Sequence, residues 1–94
     1  MNDEAILEFA RKLHSLPPRE QAIGFWLAHQ ADESGVIEDI DWEGLSYKVG
    51  LSMAPLKRSL QMEGLLLSGG FVLRESRMIG NVHGKPRFTL DLNG

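Results

Sequence analysis

Residues Asp41 to Leu60, DWEGLSYKVGLSMAPLKRSL, are spaced as two short helices joined by a tight turn. Leu45 and Val49 lie four residues apart and would stack on one face of the first helix, with Asp41 as its N-cap. Gly50 can supply the left-handed exit that a bulkier residue resists. The stretch therefore predicts two closely packed helices with a sharp change of chain direction between them.

The second helix of this pair is expected to begin after Ser52, a favourable N-cap residue. Pro55 falls in its first turn, where the missing amide hydrogen costs little. Leu56 and Leu60, again four residues apart, form its buried stripe. The outward side would then carry small, polar and basic residues, namely Met53, Ala54, Lys57, Arg58 and Gln61. Such a surface suits the groove of a nucleic acid.

Two further helices and a short strand are expected before this pair. Apolar residues at helical spacing predict a first helix over Glu4 to Ser15, with Asp3 as its cap. Pro18 can start a second helix with a wide apolar face. Gly35 ends that segment, and the run Val36-Ile37 predicts a brief strand.

Beyond Leu60 the pattern changes from helix to hairpin. Leu65 to Leu67 lead into two glycines, and Phe71 to Leu73 form an apolar run rich in strand formers. Arg87 to Leu92 alternates as a half-buried strand should. The loop between these strands has four basic residues in or beside it and only one acidic residue, Glu75; the basic residues are Arg74, Arg77, His83 and Lys85. The pattern predicts a mobile basic wing.

Composition and charge limit the classes of protein that this sequence can form. A length of 94 residues with 43% apolar content predicts a single domain over residues 1–94. The net charge of −3 is unevenly placed, because residues 1–43 hold ten acids and three bases, whereas residues 44–94 hold seven bases and three acids. The second half could therefore face phosphates while the acidic half faces away.

Several classes of function are not expected. No cysteine is present, and no apolar run approaches the roughly 20 residues of a membrane helix, so we expect a soluble, cytoplasmic protein with no membrane partner. His14, His29 and His83 lack ligand spacing, which argues against a metal. Neither a nucleophile–histidine–carboxylate pattern nor a phosphate-binding glycine loop is present, so we expect no enzyme and no cofactor.

The order helix, helix, short strand, helix, turn, helix, hairpin resembles the winged helix-turn-helix superfamily of bacterial and phage DNA-binding proteins. The resemblance covers nearly the whole chain and is closest to modules of phage and plasmid replication initiators and related regulators. It rests on Leu27-Ala28, the turn Asp32 to Gly35, Gly50-Leu51-Ser52, and Lys57-Arg58.

The resemblance implies an α+β fold of three to four helices with a C-terminal β-hairpin wing. It also implies double-stranded DNA as the partner, in transcriptional regulation or replication initiation. Base or phosphate contacts would come from Ser52, Met53, Lys57, Arg58 and Gln61, and phosphate contacts from Arg74, Arg77, Lys85 and Arg87. A homodimer could form through Glu4 to Ser15.

Two departures from the superfamily pattern concern the recognition helix. Glu63 and Gly64 predict that the recognition helix ends early or bends, and Pro55 removes a backbone donor from its first turn. The chain could instead be an acidic winged-helix module that binds a protein partner through Glu38 to Glu43. Trp42 would then either offer a contact to that partner or pack at the start of its helix.

Overall fold

The structure, a computed structural model, describes residues 1–80 and 82–93. Its class is α+β, as predicted, with five helices and a three-stranded antiparallel sheet among these residues. The helices are α1 (Asp3–Lys12), α2 (Pro18–Ala28), α3 (Trp42–Val49), α4 (Met53–Ser59) and α5 (Leu65–Ser68). The strands are β1 (Val36–Ile37), β2 (Val72–Glu75), β3 (Met78–Ile79), β4 (Val82–His83) and β5 (Arg87–Leu90).

The first helix differs from the prediction at both ends. The Asn2 side chain accepts a hydrogen bond from the Ala5 amide at 2.8 Å, so the N-cap is Asn2 and the prediction of Asp3 was wrong. The helix also ends at Lys12 rather than Ser15. The start of α2 at Pro18 is confirmed, because proline lacks the amide hydrogen that a first-turn residue does not need.

The predicted pair α3 and α4 is confirmed in its main features. Asp41 Oδ1 accepts from the Gly44 amide at 3.0 Å, which caps α3. Gly50 has φ +78°, the left-handed conformation that ends the helix and turns the chain. Ser46 supports the turn by donating its hydroxyl to the Leu51 carbonyl. Ser52 occupies the N-cap position of α4, but its side chain makes no capping hydrogen bond.

The recognition helix proposed from the sequence is short, as Glu63 and Gly64 predicted. Helix α4 ends at Ser59, so Gln61 lies in the loop after it. A one-turn helix, α5, follows at Leu65, where the sequence pattern predicted only an approach to the hairpin. Leu66 explains the difference, because this helical turn buries its side chain completely.

The sheet has the strand order β1-β5-β2, and β3 pairs with β4 in a separate two-stranded hairpin. Ile37 pairs with Phe88, and Glu75 pairs with Arg87. Strand β5 ends at Leu90, so Leu92 lies beyond the strand and is 39% exposed instead of continuing its buried face.

One cluster of buried side chains joins the helices to the inner face of the sheet. Its largest fully buried members are Phe9, Leu13, Ile23, Leu27, Ile37, Ile40, Leu45, Leu56, Leu60, Leu66 and Phe88. Burial of these side chains holds α3 and α4 against the sheet. None of the helices in residues 1–80 and 82–93 combines the length and apolar character needed to cross a membrane.

Candidate nucleic-acid interface

The outer face of α4 carries the residues that the sequence assigned to a DNA groove. Ser52, Ala54, Lys57 and Arg58 are exposed, and Met53 is half-buried. Gln61 is also exposed, in the loop beyond the helix. No acidic residue occurs between Met53 and Ser59. The face therefore carries small side chains near the start of the helix and positive charges near its end.

The Lys57 side chain extends from α4 toward Trp42 at the start of α3. Its Nζ is 5.4 Å from the centroid of the Trp42 ring, within the range of a cation–π interaction. The Trp42 ring in turn meets the Phe88 ring edge-on, with centroids 6.0 Å apart. Trp42 thus packs at the start of α3, and a chain of contacts connects Lys57 to β5.

Arg58 lies on the other side of α4, toward the start of α2. It lines a cleft of about 490 Å³ together with Arg19, Ser59 and Gln61. Sequence reasoning missed Arg19, because its place in the acidic half of the chain gave no sign that tertiary packing brings it to α4. The two cations of α4 therefore lie in different surroundings: Lys57 is beside Trp42, and Arg58 lines the cleft.

The predicted wing, residues 74–87, holds its bases close to carboxylates. Arg77 Nη1 donates to the Glu38 carbonyl at 2.7 Å and to Glu38 Oε2 at 3.2 Å. Lys85 Nζ lies 3.2 Å from Asp39 Oδ1 and donates to the Ile40 carbonyl at 3.0 Å. The acidic segment before α3 therefore neutralises part of the wing.

The strand register also places Arg87, another base of the wing, beside carboxylates. Glu75 is its direct partner on β2, and Glu38 follows Ile37, the partner of Phe88 on β1. Arg87 Nε lies 3.1 Å from Glu38 Oε1, and Nη1 lies 3.9 Å from Glu75 Oε2. The Nε contact is an ion pair without a well-aligned hydrogen bond, since this buried nitrogen has no hydrogen-bond partner among the described residues.

Arg74 connects the sheet to the end of α4. Its Nη1 donates to the carbonyl of Leu60, the C-cap of that helix, at 2.9 Å. Its guanidinium also lies 5.8 Å from the centroid of the Phe88 ring. Both contacts indicate that Arg74 positions α4 against the sheet, a role that the sequence pattern did not suggest.

Lys48 adds a cation that the sequence analysis did not assign to the interface. It is exposed in the last turn of α3, immediately before the turn that leads to α4. Its Nζ lies 5.1 Å from the centroid of the Trp26 ring. Tyr47 beside it is 84% exposed. Lys48 and Tyr47 therefore place a cation and an aromatic side chain on the surface of α3.

Neither family models nor curated proteins nor solved structures gave a match to this chain. Within the part of the chain that the structure describes, no group of three or more histidine and carboxylate side chains could hold a metal ion. The side chain of His83 lies outside that part.

Proposed function

We propose that this chain is a small winged-helix DNA-binding protein that places α4 in the major groove of duplex DNA. The proposal is supported by the two helices α3 and α4, the left-handed turn at Gly50, and the antiparallel sheet that follows. In this proposal the protein serves in transcriptional regulation or in the initiation of replication. The partner is double-stranded DNA.

The observation that carries the proposal is the outer face of α4. Lys57 and Arg58 are exposed on a helix without acidic residues, and Ala54 and Ser52 leave room near its start. A helix in the major groove needs small residues where it approaches the bases closely and donors that reach guanine or phosphate oxygens. This face combines both properties.

The wing has a smaller part in this mechanism than the helix. Arg77, Lys85 and Arg87 can reach DNA only by exchanging a carboxylate partner for a phosphate, and the carboxylates that remain repel the backbone. We therefore assign them secondary phosphate contacts. Arg74 contributes mainly by holding the end of α4.

Fluorescence-anisotropy titration of a mixed duplex library tests the proposal. We expect the native chain to bind more weakly as salt increases, and Lys57→Ala/Arg58→Ala to bind much more weakly than the native chain. Arg11→Ala/Lys12→Ala on α1 is the control that removes the same charge, and its loss should be small. The absence of native binding near 50 mM salt, where phosphate attraction is strong, would contradict the proposal.

A second candidate function is binding to another protein, and the paired wing favours it. The wing bases that would bind phosphates instead form ion pairs with the carboxylates of Glu38, Asp39 and Glu75. Leu73, on the edge strand β2, is 61% exposed and could contact a partner. This candidate predicts that Lys57→Ala/Arg58→Ala has no specific effect and that Leu73→Ser abolishes capture of the partner.

A further inference from the structure

The cleft between α2 and α4 contains two guanidinium groups that the mechanism above does not combine. Arg19 comes from the first turn of α2, and Arg58 comes from the last turn of α4. Both line one open cleft of about 490 Å³, together with the polar residues Ser59 and Gln61. The cleft therefore lies along one side of α4, the proposed DNA-binding helix.

Arg19 is held in place at the wall of this cleft. Its Nη2 donates to Ser59 Oγ at 3.2 Å, and that hydroxyl donates to the Pro55 carbonyl at 3.1 Å. Ser59 is 4% exposed, so the anchor is buried even though 49% of the Arg19 side chain is exposed. An arginine fixed in this way loses less conformational entropy on binding a ligand than a mobile one would.

Donors remain on Arg19 after these contacts are counted. Its Nε lies 3.8 Å from Glu20 Oε1, and one Nη2 hydrogen serves Ser59. Its Nη1 has no hydrogen-bond partner among residues 1–80 and 82–93. A guanidinium with free donors on one side matches the oxygens of a phosphate group, which arginine binds in a bidentate manner.

The positions of Lys57 and Arg58 suggest where such a phosphate would come from. Consecutive helix residues point about 100° apart, and here Lys57 faces Trp42 while Arg58 faces the cleft. A helix in the major groove has a phosphate backbone on each side. The Lys57 side would face one strand, and the cleft would face the other.

We propose that Arg19 and Arg58 together bind a phosphodiester of the duplex strand that passes the α2 side of α4. This inference rests on the proposed function. Two carboxylates also line the cleft, and they differ in position. Glu20 has a side chain only 13% exposed beside Arg19, whereas Glu63 is exposed in the loop after α4. Glu63 therefore opposes the incoming phosphate, and it limits the affinity.

The test measures duplex affinity against salt concentration for Arg19→Ala and Glu63→Gln. We expect Arg19→Ala to weaken binding roughly five- to tenfold at about 0.1 M salt and to reduce the slope of log K against log salt by about 0.9, the value for one phosphate contact. Glu63→Gln should strengthen binding, a change that loss of structure would not produce. Arg11→Ala, which removes an exposed charge on α1, should change neither quantity comparably.

Thermal unfolding of each variant accompanies the titrations, because Arg19 also contacts Ser59. If Arg19→Ala is unfolded, Arg19→Lys and Ser59→Ala replace it, and each should weaken binding while the protein stays folded. If the native protein binds and a folded Arg19 variant binds with the same affinity and the same salt slope, this inference is wrong but the proposed function stands. Absence of native binding would instead overturn the proposed function.

Discussion

Glu38 Oε1 lies 3.1 Å from Arg87 Nε, where the register of β1 and β5 brings the two residues side by side. The other carboxylate oxygen of Glu38 accepts from Arg77 at 3.2 Å. One acidic side chain on the β1 side of the sheet thus holds two bases of the predicted wing. Removing the charge of Glu38 therefore tests whether Arg77 and Arg87 can bind DNA phosphates.

We expect Glu38→Gln to increase duplex affinity and to make binding more sensitive to salt. The change leaves Arg77 and Arg87 less neutralised, and it removes a charge that repels phosphates. The free energy of unfolding should fall by less than about 1 kcal/mol per ion pair, since these side chains are 37–51% exposed and water screens the pairs. Anisotropy and urea titrations measure the two effects.

Glu33→Gln provides the control for Glu38→Gln. Glu33 is exposed in the turn before β1, and it makes no ion pair within the described residues. Its neutralisation changes the net charge by the same amount. Equal gains in affinity for the two variants would show that total charge, rather than release of the wing bases, controls binding.

Asp41→Ala and Ser52→Ala should differ in stability although both residues occupy N-cap positions. Asp41 accepts a hydrogen bond from the Gly44 amide, whereas the Ser52 side chain makes no capping bond. We expect a loss of about 1 kcal/mol for Asp41→Ala and clearly less for Ser52→Ala. Urea denaturation of both variants measures this. A greater loss for Ser52→Ala would contradict the hydrogen bonding described for the two helices.

Gly50→Ala should destabilise the protein by about 1–2 kcal/mol. The cost is one of backbone conformation, since φ is +78° and, apart from the adjoining backbone, no atom lies within 4 Å of the place where a Cβ would stand. Gly50→Asn should cost less, because asparagine enters the left-handed region more readily. Equal stability of the native and alanine proteins in thermal unfolding would argue against this turn between α3 and α4.

Local sequence signals were sufficient for much of the fold. Pro18, Asp41 and Gly50 each act through the backbone within a few residues, and the structure confirms the element boundary predicted at each. The exposed cations of α4 followed in the same way from helical spacing. Helix α5 was missed because its stability comes from the burial of Leu66 against distant parts of the chain. Three consecutive leucines followed by glycines do not reveal that burial.

The arrangement around the candidate site depended on contacts between distant residues. The pairing of Arg87 with Glu38 requires the register of β1 and β5, which short strands do not specify from sequence alone. The contact between Arg19 and Ser59 spans 40 positions of the chain. The sequence could therefore identify the bases but not which of them lie against carboxylates.

Contact between α4 and duplex DNA is tested by titrating the ¹⁵N-labelled chain with a mixed duplex library at low salt and recording backbone amide shifts. We expect shifts concentrated at residues 47–61 and around Arg19, with smaller changes at residues 74–87. An unchanged spectrum, or changes confined to residues 38–43 and 72–75, would contradict that contact.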